Sequence, residues 1–350
     1  MPVIVKPLLP EQGEEALSFI QPYESECDNL AAELLRGGTD CWAVYYQEAS
    51  QTSGAENENS PQVLERRISR NIRAHDQVRA NSGIDSQDQK LAGLIALRKK
   101  RSLFFCLPFA KYKSAFDKKV CSEAQRPLME FFESNEPFCV NGEAAGAVFL
   151  RNILKNKKTP MRPSVTNKYF LLTRDGEASQ AQDAGGGSGL EKDLRVVQAT
   201  SADYESLLPL ELGYQREEVV PKSFDISDAA LAAAFKESLA DGNHYALEIS
   251  GKFVAMAKVT SQGRRFAMLG GVYTIPSERK KGRAAFLVRQ IIAGLQAPSR
   301  DGQRQTAGGA STDFGAPNIC LYAKQENAAA LALYKSLGFV PRGEYLLVYY

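Results

Sequence analysis

Gly282 stands among four cationic side chains, Arg279, Lys280, Lys281 and Arg283, and is followed by the small residues Ala284 and Ala285. Positive charge around a residue with no side chain suits a phosphate, because the charge draws the anion in and the missing Cβ lets backbone N–H groups approach it. From Gly282 onward Ala285, Val288, Ile291, Ile292 and Leu295 recur at helical spacing, which predicts an amphipathic helix beginning at this glycine. The first N–H groups of such a helix have no partner inside it and point back toward the turn. A phosphate or pyrophosphate would be held there. Taken alone, the same residues also describe a solvated basic cap on a surface helix.

Two further sets of residues carry chemistry. Asn327 precedes a second predicted helix, on which Ala330, Leu331, Tyr334 and Leu337 make one apolar face and Gly338 supplies the stop. Tyr334 lies two helical turns beyond Asn327, so both project toward the same cleft; without further context Tyr334 reads as a core aromatic. Glu217 and Glu218 are adjacent carboxylates in the segment from Tyr214 to Pro221, read as a loop or second short helix. They could take up a proton, or simply be solvated.

The elements that must position these groups follow from the pattern around them. A strand at Leu194 to Val197, a helix with Thr200 or Ser201 as N-cap, and a helix from about Ser227 to Leu239 come first. Strands at Tyr245 to Ile249, Phe253 to Thr260 and Arg265 to Thr274, separated by Ser250-Gly251 and Gln262-Gly263, then deliver the chain to the Gly282 turn. Upstream, one helix is expected over Glu14 to Leu35, then a strand at Asp40 to Tyr46. A hairpin (Leu91 to Leu97, Leu103 to Leu107), a helix at Ser122 to Glu133, a strand at Phe138 to Val140, a helix at Glu143 to Leu154 and a strand at Tyr169 to Thr173 follow. The expected class is α/β, mixed α+β, with a central mixed sheet and flanking helices.

Composition divides the chain. Gly185-Gly-Gly-Ser-Gly189 marks a flexible linker at 176–190, between an N-terminal domain at 1–175 and a C-terminal one at 191–350. Polar stretches at about 47–90 and about 297–317 read as mobile insertions. The 350 residues carry a net charge of +2, which argues against wholesale nucleic-acid binding, and no apolar run is long enough to span a membrane. No signal peptide is evident, so a cytoplasmic location is expected. The six cysteines include no C-x-x-C pair, and with only His75 and His244 present zinc-ligand spacing is absent, so no metal is expected.

Arg279-x-x-Gly282-x-Ala284, preceded by Val272-Tyr-Thr-x-Pro276, resembles motif A of the GNAT superfamily of N-acetyltransferases. Asn327-x-x-Ala330-x-x-Leu333-Tyr334-x-x-x-Gly338-Phe339 resembles the family's second motif. The resemblance covers about residues 193 to 350 and implies a GNAT fold there. The N-terminal half has a similar element order but lacks the R-x-x-G-x-A turn after Leu107, so it resembles a degenerate, non-catalytic copy.

The resemblance implies acetyl-CoA as cosubstrate and an amine acceptor of unknown identity. Val272, Tyr273 and Thr274 would meet the pantetheine and acetyl carbonyl, Lys280 to Ala285 with Arg279 would hold the pyrophosphate, and the Asn327 amide would reach the cofactor arm. Attack of the amine on the thioester would be helped by backbone N–H from the Val272 strand, and Tyr334 would protonate the departing thiolate. Neutralising a lysine amine of pKa about 10.4 at pH 7 costs roughly 4.6 kcal/mol, an α-amine near 8 only about 1.4, so a base matters for the first acceptor class. Some protein N-terminal acetyltransferases carry a carboxylate five positions before the asparagine; here that position is Tyr322. Glu217 and Glu218 are the nearest carboxylate candidates, with Tyr322 or a water as other options. The competing reading is a non-catalytic CoA-binding or scaffolding module. The role of the N-terminal domain, including pairing of two copies, is open.

Overall fold

The computed structural model describes residues 2–37, 40–47, 89–99, 101–174, 194–221, 223–297, 304–305, 311–312 and 318–350. The expected insertion at about 47–90, the linker at 176–190 and most of 297–317 lie outside these residues, His75 with them.

The N-terminal half runs β1 (Val3–Pro7), α1 (Gly13–Ile20), α2 (Asp28–Leu35), β2 (Cys41–Gln47), β3 (Gln89–Arg98), β4 (Ser102–Cys106), α3 (Ala115–Ser134), β5 (Cys139–Glu143), α4 (Ala144–Asn156) and β6 (Val165–Arg174). The C-terminal half runs β7 (Leu194–Gln198), α5 (Tyr204–Tyr214), α6 (Asp228–Ala240), β8 (His244–Ile249), β9 (Lys252–Gln262), β10 (Phe266–Thr274) and α7 (Arg283–Gln296). It ends with β11 (Arg304–Gln305), β12 (Ser311–Thr312), β13 (Asn318–Lys324), α8 (Ala328–Ser336) and β14 (Val340–Tyr349).

Three local expectations shift for physical reasons. The single helix over Glu14 to Leu35 is two helices, divided by a 3-10 segment, Gln21–Glu26, that carries Pro22 at its start and turns Glu24 inward. The helix expected from Ser122 starts at Ala115, because Ser114 and Asp117 form a reciprocal capping box. The strand expected at Tyr169 to Thr173 spans Val165–Arg174, since a strand lies on each side of it.

Among the described residues twelve strands make one sheet in the order β1-β2-β3-β4-β5-β14-β6-β13-β10-β9-β8-β7, with β11 and β12 paired separately. β4 runs parallel to β5 and β10 parallel to β13; the other neighbours are antiparallel. Each half is thus an antiparallel meander followed by one parallel strand, and the halves exchange their last strands. β14 of the C-terminal half pairs with β5 of the N-terminal half, and β6 of the N-terminal half pairs with β13. The expected mixed α/β class holds.

The exchange puts residues of each half into the core of the other. α3 and α4 pack on one face of the N-terminal strands around Val120, Leu128, Leu150 and Leu154, with Leu346 and Val348 of β14 among them. On the same face α7 and α8 cover Val259, Leu269, Ile319 and Leu321, joined by Leu172 of β6. The opposite face is covered by α1 and α2 over β2 to β4, and by α5 and α6 over β8 to β10. Among the described residues no helix is long and apolar enough to cross a membrane. All six cysteines are buried and unpaired, as small core residues are.

Candidate functional site

β10 and β13 pair only from Phe266 to Leu269 against Asn318 to Leu321. Past that point β10 is bulged between Gly270 and Tyr273, and Gly271 sits at φ +60°, a conformation that suits glycine. Bulges re-aim a strand. Here the strand leaves its parallel neighbour, so Val272, Tyr273 and Thr274 lie beyond the last β10–β13 pair. Tyr273 turns toward α5, where Gly213 makes room: a Cβ on Gly213 would fall 2.5 Å from the Tyr273 hydroxyl.

The chain then turns through a 3-10 segment, Pro276–Glu278, with Lys280 at φ +62°. Gly282 is the N-cap of α7 at φ +76°, and no side chain caps the helix. A Cβ added to Gly282 would meet nothing within 4 Å. The start of α7 is open, with uncapped N–H groups, as an anion at that end requires. The four cations are arranged less simply than their count suggests. Lys281 and Arg283 pair with Glu278 at 2.7 and 3.0 Å, and first Lys281, then Arg283, hold its carboxyl below the usual range. Arg279 donates through Nε to the Thr274 carbonyl at 2.9 Å and through its terminal nitrogen to Glu217 at 2.8 and 3.0 Å. Its guanidinium lies 5.3 Å from the Tyr273 ring centre, and the Tyr273 hydroxyl donates to Glu217 at 2.9 Å. Among the described residues Lys280 has no carboxylate partner. Ala284 and Ala285 follow on the first turn of α7.

On the other arm Asn327 caps α8, accepting from the Ala330 N–H at 2.9 Å, as its sequence position predicts. Its amide donates to Glu218 at 3.1 Å, and the Lys324 ammonium lies 4.0 Å from the same carboxylate. Tyr334 is 7% exposed. Burial first, and the charge of Glu218 second, push its phenol well above the usual value. Burial does the same to Tyr214 and Tyr169, and both also feel Glu218. The charge of Glu218 thus acts on three phenols from three elements: α5, α8 and β6.

The structure thus brings together Glu218 and Asn327, and separately Glu217, Tyr273 and Arg279; Tyr334 packs in the core against Phe339 and is tied to Glu218 by that carboxylate's charge alone. Tyr322 belongs elsewhere: it stacks on Tyr345 with ring centres 3.7 Å apart, and burial, with Tyr345 and Asp28 nearby, raises its phenol far above the usual value. Tyr169 is the residue that sequence reasoning missed. It comes from the N-terminal half, opposite Lys324 on β13 and Tyr345 on β14, and no local signal announces that pairing.

The matching place in the N-terminal half is filled. After β4 the chain enters a 3-10 turn, Pro108–Lys111, that ends on Tyr112 at φ +53°. Phe105 lies across β5 and the start of α4: a Cβ on Gly142 or Gly146 would come within 2.2 or 2.4 Å of its ring. Glu143 occupies the cap position of α4 and takes the Ala145 and Gly146 N–H groups itself, at 2.7 and 3.2 Å. α4 follows β5 as α8 follows β13; the helix that matches α7 is α3, and there Ser114 takes the Asp117 N–H at 3.0 Å while Asp117 takes the Ser114 N–H at 2.9 Å, so an anion would meet a side-chain cap instead of bare N–H groups.

No protein-family model matches the chain, and no curated protein matches it. Solved structures do. A Drosophila protein aligns over 99% of this chain and 98% of its own, with 12% identity and a TM-score of 0.54. A GNAT-family acetyltransferase from Colwellia psychrerythraea aligns over 100% and 99%, with 10% identity and a TM-score of 0.45. A GNAT-family acetyltransferase from Novosphingobium aromaticivorans shares 21% identity over 53% of this chain, at a TM-score of 0.34; the match spans 65% of that protein's length. At these identities the likeness is one of fold.

Proposed function

We propose that the C-terminal half is an acetyl-CoA-dependent N-acetyltransferase, with 1–175 a degenerate copy that lends it a strand. The observation that carries this reading is the open, uncapped start of α7 past the last β10–β13 pair, with the Asn327 amide at the start of α8 held on Glu218. The chain's own groups fit the cofactor, because Gly282 presents no obstruction and the α7 N–H groups have no side-chain cap. Lys280 to Ala285 would hold the diphosphate, and Val272, Tyr273 and Thr274 would line the arm. Acetyl-CoA supplies a thioester. The acceptor nitrogen forms the new C–N bond as the C–S bond breaks. Glu218 takes the proton the amine gives up, and Tyr334 gives its proton to the leaving sulfur. A phenol raised by burial stays protonated at neutral pH, as an acid must before it acts.

The test is an acetylation screen of the purified full chain over small amines, peptides and aminoglycoside-like acceptors, followed by Tyr334→Phe. Loss of a general acid costs on the order of 10²-fold or more in kcat, with acetyl-CoA affinity retained. Wild-type turnover from Tyr334→Phe removes the acid role. Binding of acetyl-CoA with no amine acetylated would instead identify a CoA-binding module.

A further inference from the structure

Glu217 and Glu218 are neighbours in the chain, yet their carboxylates run to opposite arms of the opening between β10 and β13. The cause is local. Gln215–Val219 form one π-helical turn at the end of α5, and a π turn adds a residue and changes the angular spacing along the helix. Glu217 reaches the β10 arm and accepts from the Tyr273 hydroxyl at 2.9 Å and from Arg279 at 2.8 and 3.0 Å. Glu218 reaches the β13–α8 arm and accepts from the Asn327 amide at 3.1 Å. Arg279 and Asn327 are both among the residues that the motifs give to the cofactor.

We infer that the turn Gln215–Val219 is a strap whose two carboxylates hold Arg279 and Asn327 in the cofactor's place, so that acetyl-CoA must displace them to bind. The inference rests on the proposed acetyl transfer. Like acceptors compete for like donors: a carboxylate and a diphosphate oxygen both suit a guanidinium, and a carboxylate and an amide carbonyl both suit the asparagine N–H. Arg279 need not move far, because its Nε stays on the Thr274 carbonyl while the terminal nitrogen changes partner. Once displaced, the two carboxylates face the acceptor side. Until then Glu218 stands with the Asn327 amide at 3.1 Å and the Lys324 ammonium at 4.0 Å. A cationic amine then finds its counter-charge only after the cofactor is in. Glu217 acts in this as a positioning residue.

The Arg279–Glu217 pair is 42% and 43% exposed, so its removal has a modest effect. Calorimetry on the full chain with two probes, acetyl-CoA and acetyl-pantetheine (which lacks the diphosphate), reads it directly. Glu217→Gln is expected to tighten acetyl-CoA about three- to tenfold and leave acetyl-pantetheine unchanged. Glu218→Gln tightens both. Glu205→Gln, an exposed carboxylate on the first turn of α5, changes neither and controls for loss of one negative charge. Wild-type or weaker affinity in both Glu217→Gln and Glu218→Gln overturns the strap, as does an equal gain in Glu205→Gln. Failure of all four proteins to bind acetyl-CoA overturns the acetyltransferase reading itself. Binding by the wild type without a gain in the variants overturns the strap alone.

Discussion

Asp28 is fully buried at the start of α2, where the N-terminal half meets β9 of the other. Its Oδ2 accepts from the Ser261 hydroxyl, and among the described residues its Oδ1 has no partner. Burial raises its carboxyl from the ordinary 3.8 to about 7, against the opposing pull of Ser261 and the local backbone. The sign follows from linkage. Below about 3.8 the acid is protonated folded and unfolded, and nothing is lost; as pH rises toward 7 the unfolded chain ionises while the folded one resists, and stability falls. The displacement is worth at most about 4 kcal/mol. Asp28→Asn keeps the shape and removes the charge. The variant should match the wild type near pH 4 and exceed it progressively, by up to about 3 kcal/mol at pH 8 after allowance for local relaxation. Urea titrations of both proteins at half-unit steps from pH 4 to 8.5 give the difference directly. The neighbours Glu24, Cys27, Cys320, Tyr322 and Tyr345 all have pKa values raised by their surroundings, burial among the causes. All five are common to both proteins, so they leave the difference between them unchanged. A constant difference across that range would refute the account, since an Asn that merely fits badly costs the same at every pH.

His244 works the other way. Burial holds its imidazole down to about 4, so its share of stability is present above 6.5 and lost as pH falls toward 4; in NMR its ring protons should titrate with a midpoint near 4, and a midpoint near 6.5 would show an exposed ring. Gly142→Ala puts a methyl 2.2 Å from the Phe105 ring and should cost about 1–3 kcal/mol; Phe105→Leu in the same chain should recover part of it, measured by thermal melts of the single and double variants. A chain of residues 191–350 alone exposes the whole β13 edge that β6 covers, and should be insoluble or aggregate until 1–175 is supplied, as light scattering would report.

What was legible in the sequence was whatever a few consecutive residues decide. The Gly282 turn and the Asn327 cap are each written within four residues and form where expected, and of the two N-caps expected, Thr200 or Ser201, it is Thr200 that caps. The strand exchange was not legible, because β6 and β14 alternate as any antiparallel strand does, and no residue in either names its partner. Only the sheet order shows that Tyr169, from the other half of the chain, lies opposite Lys324, whose ammonium is 4.0 Å from Glu218. The occupancy of the cations was hidden for a related reason. Four positive residues in five look like one patch, yet Glu278 lies within the same turn and Glu217 is brought to Arg279 by a π turn 60 residues upstream. Charge counted along the chain therefore overstates what a phosphate would meet. What it would meet first is backbone: the uncapped N–H groups of α7. Substitution of any one cation should accordingly weaken diphosphate binding less than Gly282→Val, which strains a φ of +76° and covers those N–H groups at once.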